Sequence, residues 1–160
     1  MSASPESPWA ASLGRVPSGI FILTVRHGDQ ETGMLASWVQ QAGFEPPMVT
    51  VAVKQGRYVA QWLDEGAAFV LNLVGKGETR FLKHFGRGFE PDQPAFEGLN
   101  IARTDAGMPY LVDTAGYLAC QPRQHLDSGD HRIFLAEVTA GAMLNDLEPM
   151  VHVRKSGLRY

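Results

Sequence analysis

Two strand-like blocks constrain the fold of this chain most. Residues 32–38 read Thr-Gly-Met-Leu-Ala-Ser-Trp, and residues 46–53 read Pro-Pro-Met-Val-Thr-Val-Ala-Val. Small residues leave the backbone of the first block little covered, so a flat ligand can lie against it and bond to its N–H and C=O groups. The second block predicts a rigid neighbouring strand. The alternative interpretation is a strand of small residues against which another strand packs closely.

The rest of the pattern predicts short strands, two short helices and a long loop. Residues 16–26 are apolar on both faces, which predicts a strand covered inside by a barrel and outside by another element or a second subunit. Helices are predicted at residues 57–65 and 78–85, and residues 86–110, rich in Gly and Pro, predict a loop. Further strands are expected at residues 67–74, 115–121, 131–144 and 151–154.

Composition indicates one folded domain in a reducing compartment. The chain has 160 residues, 44% hydrophobic and 19% charged, which predicts one domain at residues 11–160 after a flexible leader at residues 1–10. The net charge of −3 offers no general attraction to nucleic acid or to an anionic membrane. We expect a cytoplasmic protein, since no apolar run or secretory signal pattern is visible. The single cysteine, Cys120, excludes an internal disulfide and is expected to be buried.

Two groups of basic residues are candidates for binding phosphate. Lys54, Gln55 and Arg57 lie where a strand is predicted to end and a helix to begin. The alternative is a solvated surface pair. The second group could receive nicotinamide or flavin phosphates, or could be a solvated helix face. Its members are Lys76, Arg80, Lys83 and Arg87.

The Gly-Asp-His block at residues 129–131 contains two possible kinds of site. His131 opens a predicted strand, where a lone histidine is usually structural or exposed. With His125, Asp127 and Asp130 it could form a metal site. The spacing matches no closed zinc pattern, so we expect none.

The blocks at residues 32–38, 46–53 and 129–138 together resemble the flavin reductase-like family of FMN-binding split barrels. The resemblance extends over residues 11–160. Residues 15–24 and 33–42 are especially similar to the C-terminal reductase module of flavodiiron proteins from oxygenic phototrophs.

The resemblance implies an all-β fold with short helices, a six-stranded antiparallel Greek-key split barrel that forms a homodimer. It implies hydride transfer from NADH or NADPH to bound FMN, with FAD as another flavin that fits. His131 would be the catalytic candidate, orienting the hydride donor. The cofactor-binding candidates are Gly33, Met34, Leu35, Ala36, Ser37, Trp38, Lys54, Gln55, Arg57 and Phe85.

Three functions compete at this point. The first is an NAD(P)H-dependent FMN oxidoreductase. The second is an FMN electron-transfer module that turns over little alone and serves a protein partner such as a flavodiiron oxygen reductase. The third is a split barrel that binds haem or pyridoxal phosphate. No ribose-reading motif distinguishes NADH from NADPH.

Overall fold

The computed structural model describes residues 7–160, which form three short helices and eleven strands. The helices are α1 (Ala10–Gly14), α2 (Tyr58–Asp64) and α3 (Arg80–Gly86). The strands are β1 (Ser18–Gly19), β2 (Phe21–His27), β3 (Gln30–Ala36), β4 (Val39–Phe44), β5 (Pro47–Lys54), β6 (Phe69–Leu73), β7 (Ile101–Arg103), β8 (Pro109–Leu111), β9 (Gly116–Ser128), β10 (His131–Met143) and β11 (Val151–His152). Among these helices none has the length and apolar character needed to cross a membrane.

The main sheet is an antiparallel barrel that remains open along one line. Its strand order is β3-β2-β6-β9-β10-β5-β4, so β3 and β4 form opposite edges. Only Ser37 and Trp38 connect these two strands along the chain. Because the three Cα–Cα steps from Ala36 to Val39 span at most about 11 Å, the sheet must curl until its edges approach one another. The Trp38 carbonyl then accepts a hydrogen bond of 3.0 Å from the Ala52 N–H, which joins the connection to β5.

The predicted all-β architecture with short helices is confirmed, with differences in detail. The sheet has seven strands instead of six, because residues 39–44 pair with β5. The predicted loop at residues 86–110 contains β7 and ends at β8, its antiparallel partner. The proposed leader falls mostly on residues 1–6, which lie outside the described part of the chain, and α1 begins at Ala10.

Two apolar layers lie on either side of β2, as its sequence pattern predicts. Leu23 and Val25 are fully buried in the barrel interior with α2. Ile22 faces the other way and packs in a cluster with Phe85 of α3. The outer face of β2 is therefore covered by an element of the same chain. Cys120 is buried in the interior layer, as expected, and burial raises the pKa of its thiol to about 12.

Candidate functional site

A cleft of about 830 Å³ follows the line where the sheet edges approach. Its walls are β3 and the connection to β4, the end of β5 with the turn into α2, and the end of α3 with the loop after it. Most of the residues singled out from the sequence line it. They are Gly33, Met34, Leu35, Ala36, Ser37, Trp38, Lys54, Arg57 and Phe85.

The β3 wall combines open backbone with a buried aromatic ring. Within residues 7–160, β3 has only β2 as a sheet neighbour, so backbone N–H and C=O groups on its outer edge face no strand. Close packing requires glycine at position 33, because a Cβ there would lie 2.6 Å from Cε1 of Phe85. The Phe85 ring, 2% exposed, therefore contacts the backbone at a distance that only glycine permits.

Three exposed cations line the cleft. Lys54 ends β5, and Arg57 immediately precedes α2, so both flank the turn between these elements. Arg87 follows α3, and its guanidinium lies 4.9 Å from the centroid of the Phe89 ring. The cleft thus has cationic groups on two of its walls and is suited to an anionic ligand.

The second basic stretch is divided by the fold. Of its four members only Arg87 lines the cleft. Lys76 pairs with Glu148 at 3.4 Å, and Arg80 lies 3.6 Å from Asp113. These pairings involve carboxylates that are distant in sequence, so the pattern of basic residues alone does not indicate which cation remains at the cleft.

Gln55 is placed beside the cleft but is bonded elsewhere. Its side-chain nitrogen donates to the carbonyls of Gly129 and His131, each at 3.2 Å, and its backbone N–H donates to the Asp130 carbonyl at 2.9 Å. Gln55 therefore connects the turn before α2 to the turn between β9 and β10. It is not among the residues that line the cleft.

His131 lies behind the cleft lining. It is 7% exposed and pairs with Lys54 across β10 and β5. Its Nδ1 is 2.7 Å from Oδ1 of Asp130, and this hydrogen bond lowers the pKa of the Asp130 carboxyl. Its Nε2 is 2.7 Å from the Tyr160 hydroxyl, and its ring centroid is 4.6 Å from that of Trp38. Trp38 and Tyr160 line the cleft, and His131 supports both.

Two tyrosines at the cleft were not among the predicted site residues. The Tyr58 hydroxyl lies 3.0 Å from the Thr32 hydroxyl and donates to the Phe89 carbonyl at 2.5 Å, which holds the loop after α3 against β3. Burial is the main cause that raises the pKa of Tyr58. Tyr160 reaches the cleft from the segment after β11. Aromatic residue type is the only sequence signal for either.

The residues considered for a metal site form separate pairs. His125 lies 3.7 Å from Asp64, and Asp127 accepts a hydrogen bond from Arg132. Within residues 7–160, no three His, Cys, Asp or Glu side chains are placed to hold a metal ion.

A second groove adjoins the cleft. It encloses about 670 Å³ and is largely apolar, with Leu13, Val16 and Val151 in its lining. Leu13 is 45%, Val16 62% and Val151 68% exposed. Ser37 and Trp38 line both the groove and the cleft, so the two surfaces are continuous.

Comparison with known sequences identifies relatives over almost the whole chain. The family model for the flavin reductase like domain matches residues 13–158. Diflavin flavoprotein A 1 of Synechocystis sp. is 36% identical over 159 residues, covering 98% of this chain and 28% of that protein. A second, similarly named protein of the same organism is 38% identical over 163 residues, covering 99% of this chain and 27% of that protein. The chain thus spans about a quarter of the length of these curated relatives.

Solved structures share the fold. The NADH:FAD oxidoreductase SgcE6 of Streptomyces globisporus superposes with a TM-score of 0.83 at 24% identity, covering 98% of this chain and 94% of that one. The flavin reductase HpaC, solved with NADP+, gives a TM-score of 0.77 at 21% identity and covers 90% of each chain. On the family match and the identity to these relatives, the chain belongs to the flavin reductase-like domain family.

Proposed function

We propose that this chain binds FMN in the cleft and transfers hydride to it from NADH or NADPH. One observation carries the proposal: the open backbone edge of β3 and the cations beside α2 line the same cleft. A flavin needs both, since its ring presents a flat polar edge and its phosphate is anionic.

The residues present fit FMN in shape and charge. The cleft volume, about 830 Å³, lies within the range of cofactor sites. Ala36 and Ala52 keep part of the wall shallow, as a planar ring requires. When bound, the flavin supplies the hydride acceptor, N5, to which C4 of a reduced nicotinamide donates. FAD is the other flavin that we propose for this cleft, and Arg87 would be a further cation for its second phosphate.

The chain's own residues bind and orient. Backbone groups of residues 34–36 and the Ser37 hydroxyl would bond to the polar edge of the ring. Lys54 and Arg57 would hold the phosphate, and Phe85 would support β3 from behind. Gln55 would contribute indirectly, by holding the turn that carries His131. His131 is our candidate for orienting the nicotinamide donor.

Two structural neighbours support the choice of a flavin and a nicotinamide as ligands. SgcE6 has been solved with NAD and FAD fragments, and HpaC with NADP+. These names describe those proteins, and we extend the ligand classes to this chain by proposal. The single cysteine, buried and unpaired by any disulfide, fits the cytoplasmic location that we propose.

An alternative function is electron transfer within a larger assembly. The observation that favours it is the coverage of about a quarter of the diflavin relatives. In that case the chain would hold FMN, turn over little alone and pass electrons to a protein partner such as a flavodiiron oxygen reductase.

Absorbance and turnover measurements test these proposals. We expect a yellow preparation that releases FMN on heating and that oxidises NADH or NADPH over many turnovers with added FMN. A single bleaching without turnover would favour the electron-transfer module. A colourless preparation that binds no FMN would exclude both functions, and a haem or pyridoxal phosphate spectrum would identify the third function instead.

We also propose a homodimer that uses the second groove. Leu13, Val16 and Val151 line the same groove and are each at least 45% exposed, and a group of exposed apolar side chains on one surface favours an interaction site. Because Ser37 and Trp38 line both surfaces, a second copy seated there would border the flavin cleft.

A further inference from the structure

Three hydrogen-bonded side chains, Asp130, His131 and Tyr160, connect bulk solvent to the cleft, and the middle one is a buried imidazole. Asp130 Oδ1 is 2.7 Å from Nδ1 of His131, and Nε2 of His131 is 2.7 Å from the Tyr160 hydroxyl. The His131 residue is 7% exposed, whereas Tyr160 is 71% exposed and the Asp130 side chain 77%. Both ring nitrogens of the imidazole are therefore hydrogen-bonded within the protein, and neither is free to bond a ligand.

The donors and acceptors determine the direction of the hydrogen bonds that link Asp130, His131 and Tyr160. The Asp130 carboxylate can only accept, so Nδ1 of His131 carries a hydrogen. In the neutral imidazole Nε2 is then the acceptor, and the Tyr160 hydroxyl donates to it. The remaining lone pairs of that hydroxyl are free to accept a hydrogen bond from a ligand. In this arrangement Asp130 and His131 determine how Tyr160 presents its oxygen.

The position of Tyr160 is fixed by contacts distant in sequence. The Gly157 N–H donates to the Ala10 carbonyl at 2.6 Å, and the Arg154 N–H donates to the Gly14 carbonyl at 2.8 Å. The guanidinium of Arg154 donates to the Arg159 carbonyl at 2.9 Å and lies 5.4 Å from the centroid of the Trp38 ring. The segment after β11 is thus attached to α1 through the backbone of Arg154 and Gly157, and to Trp38 of the cleft wall through the side chains of Arg154 and Tyr160.

We propose that Tyr160 is the residue that contacts the nicotinamide donor and that His131 is a positioning residue acting through Tyr160. The observations that carry this assignment are that Tyr160 lines the cleft beside Trp38 and that His131 does not. The donor's carboxamide N–H would bond to the hydroxyl oxygen of Tyr160. This assignment rests on the proposed function of the cleft.

A double-mutant cycle tests whether His131 acts through Tyr160. We expect Tyr160→Phe to raise KM for the nicotinamide about three- to tenfold, the loss of one hydrogen bond, with kcat nearly unchanged. His131→Gln should raise KM in the wild-type background and have no further effect in the Tyr160→Phe background. Tyr117→Phe is the matched control, since that ring stacks on Tyr110 at 4.1 Å outside the cleft lining. Additive effects of the two substitutions, or an unchanged KM in Tyr160→Phe, would overturn the proposal.

Nitrogen-15 NMR of the His131 imidazole tests the same hydrogen bonds without flavin or turnover. In the wild-type protein we expect the tautomer with hydrogen on Nδ1 and an Nε2 shift typical of a hydrogen-bond acceptor. In Tyr160→Phe the Nε2 shift should move toward that of an unbonded nitrogen, while Tyr117→Phe should leave it unchanged. If the Nε2 shift is unchanged in a Tyr160→Phe protein that still reduces flavin, the assignment of Tyr160 is wrong and the proposed function of the cleft stands. A wild-type protein that oxidises no nicotinamide would overturn the proposed function and this assignment with it, even if the NMR shift moves.

Discussion

At the scale of single residues, the cleft depends on close approach between Phe85 and the backbone of Gly33. A methyl group at Gly33 would meet Cε1 of Phe85 at 2.6 Å and two further ring atoms at 3.2 and 3.3 Å. The ring is held in a buried apolar cluster and has little room to move. Glycine is thus needed at this position for packing, in addition to leaving β3 accessible to a ligand.

Gly33→Ala is expected to lower the free energy of unfolding by about 1–3 kcal/mol, the usual cost of overpacking. Denaturant unfolding of the flavin-free protein measures it. Gly86→Ala is the control, because a Cβ there meets no atom within 4 Å. A wild-type stability for Gly33→Ala would mean that Phe85 can shift without cost.

Arg57 is the residue whose removal should weaken flavin binding most directly. It is exposed at the cleft and makes no side-chain cap to α2. Arg57→Ala is expected to weaken FMN binding by about 1–3 kcal/mol, because a charge-assisted phosphate bond is lost. Fluorescence titration of FMN measures the Kd. Arg123→Ala, which removes a surface pair with Glu137 instead, should leave it unchanged. An unaltered Kd for Arg57→Ala would remove Arg57 from the site.

At the scale of elements, one tyrosine of α2, Tyr58, attaches the loop after α3 to β3. The Tyr58 hydroxyl contacts Thr32 of β3 and the Phe89 carbonyl of the loop. Three elements that are separated in sequence therefore meet at one oxygen atom. Since Phe89 and Tyr58 both line the cleft, this contact also determines the shape of one wall.

Tyr58→Phe is expected to loosen that loop while the barrel remains intact. The loss of these hydrogen bonds should cost about 1 kcal/mol of stability. Amide hydrogen exchange should become faster at residues 88–93 and stay unchanged in β9 and β10. Tyr110→Phe is the control, because it removes a tyrosine hydroxyl from the ring that stacks on Tyr117. Equal exchange of the loop in wild type and Tyr58→Phe would show that other contacts hold it.

At the scale of the whole molecule, the apolar groove next to the cleft predicts how two copies associate. Val16→Asp would place a carboxylate in the groove, and desolvating that charge should weaken a dimer. We expect sedimentation velocity to report a dimer for the wild type and a monomer for this variant. Val112→Asp introduces the same charge at an exposed valine outside the groove and should leave the dimer intact. A wild-type monomer at micromolar concentration would exclude the proposed homodimer.

Local pattern predicted most strands of the main sheet, the helices α2 and α3, and most of the cleft lining. The two apolar faces of β2 predicted two covering layers, and the block at residues 46–53 predicted the strand β5. Side-chain periodicity is a property of neighbouring residues, so a single sequence carries it. The run at residues 33–38 is also a pattern of neighbouring residues, and all six of them line the cleft.

Only the tertiary structure decided which distant groups meet. The curling of the sheet, the bonding of Gln55 to the β9–β10 turn and the burial of His131 under Tyr160 and Trp38 depend on contacts between residues far apart in the chain. Such contacts are selected by the closure of the whole barrel and leave no periodic trace in the sequence. For that reason the residue types of the cleft could be predicted from the sequence, whereas the placement of Tyr160 at its surface required the fold.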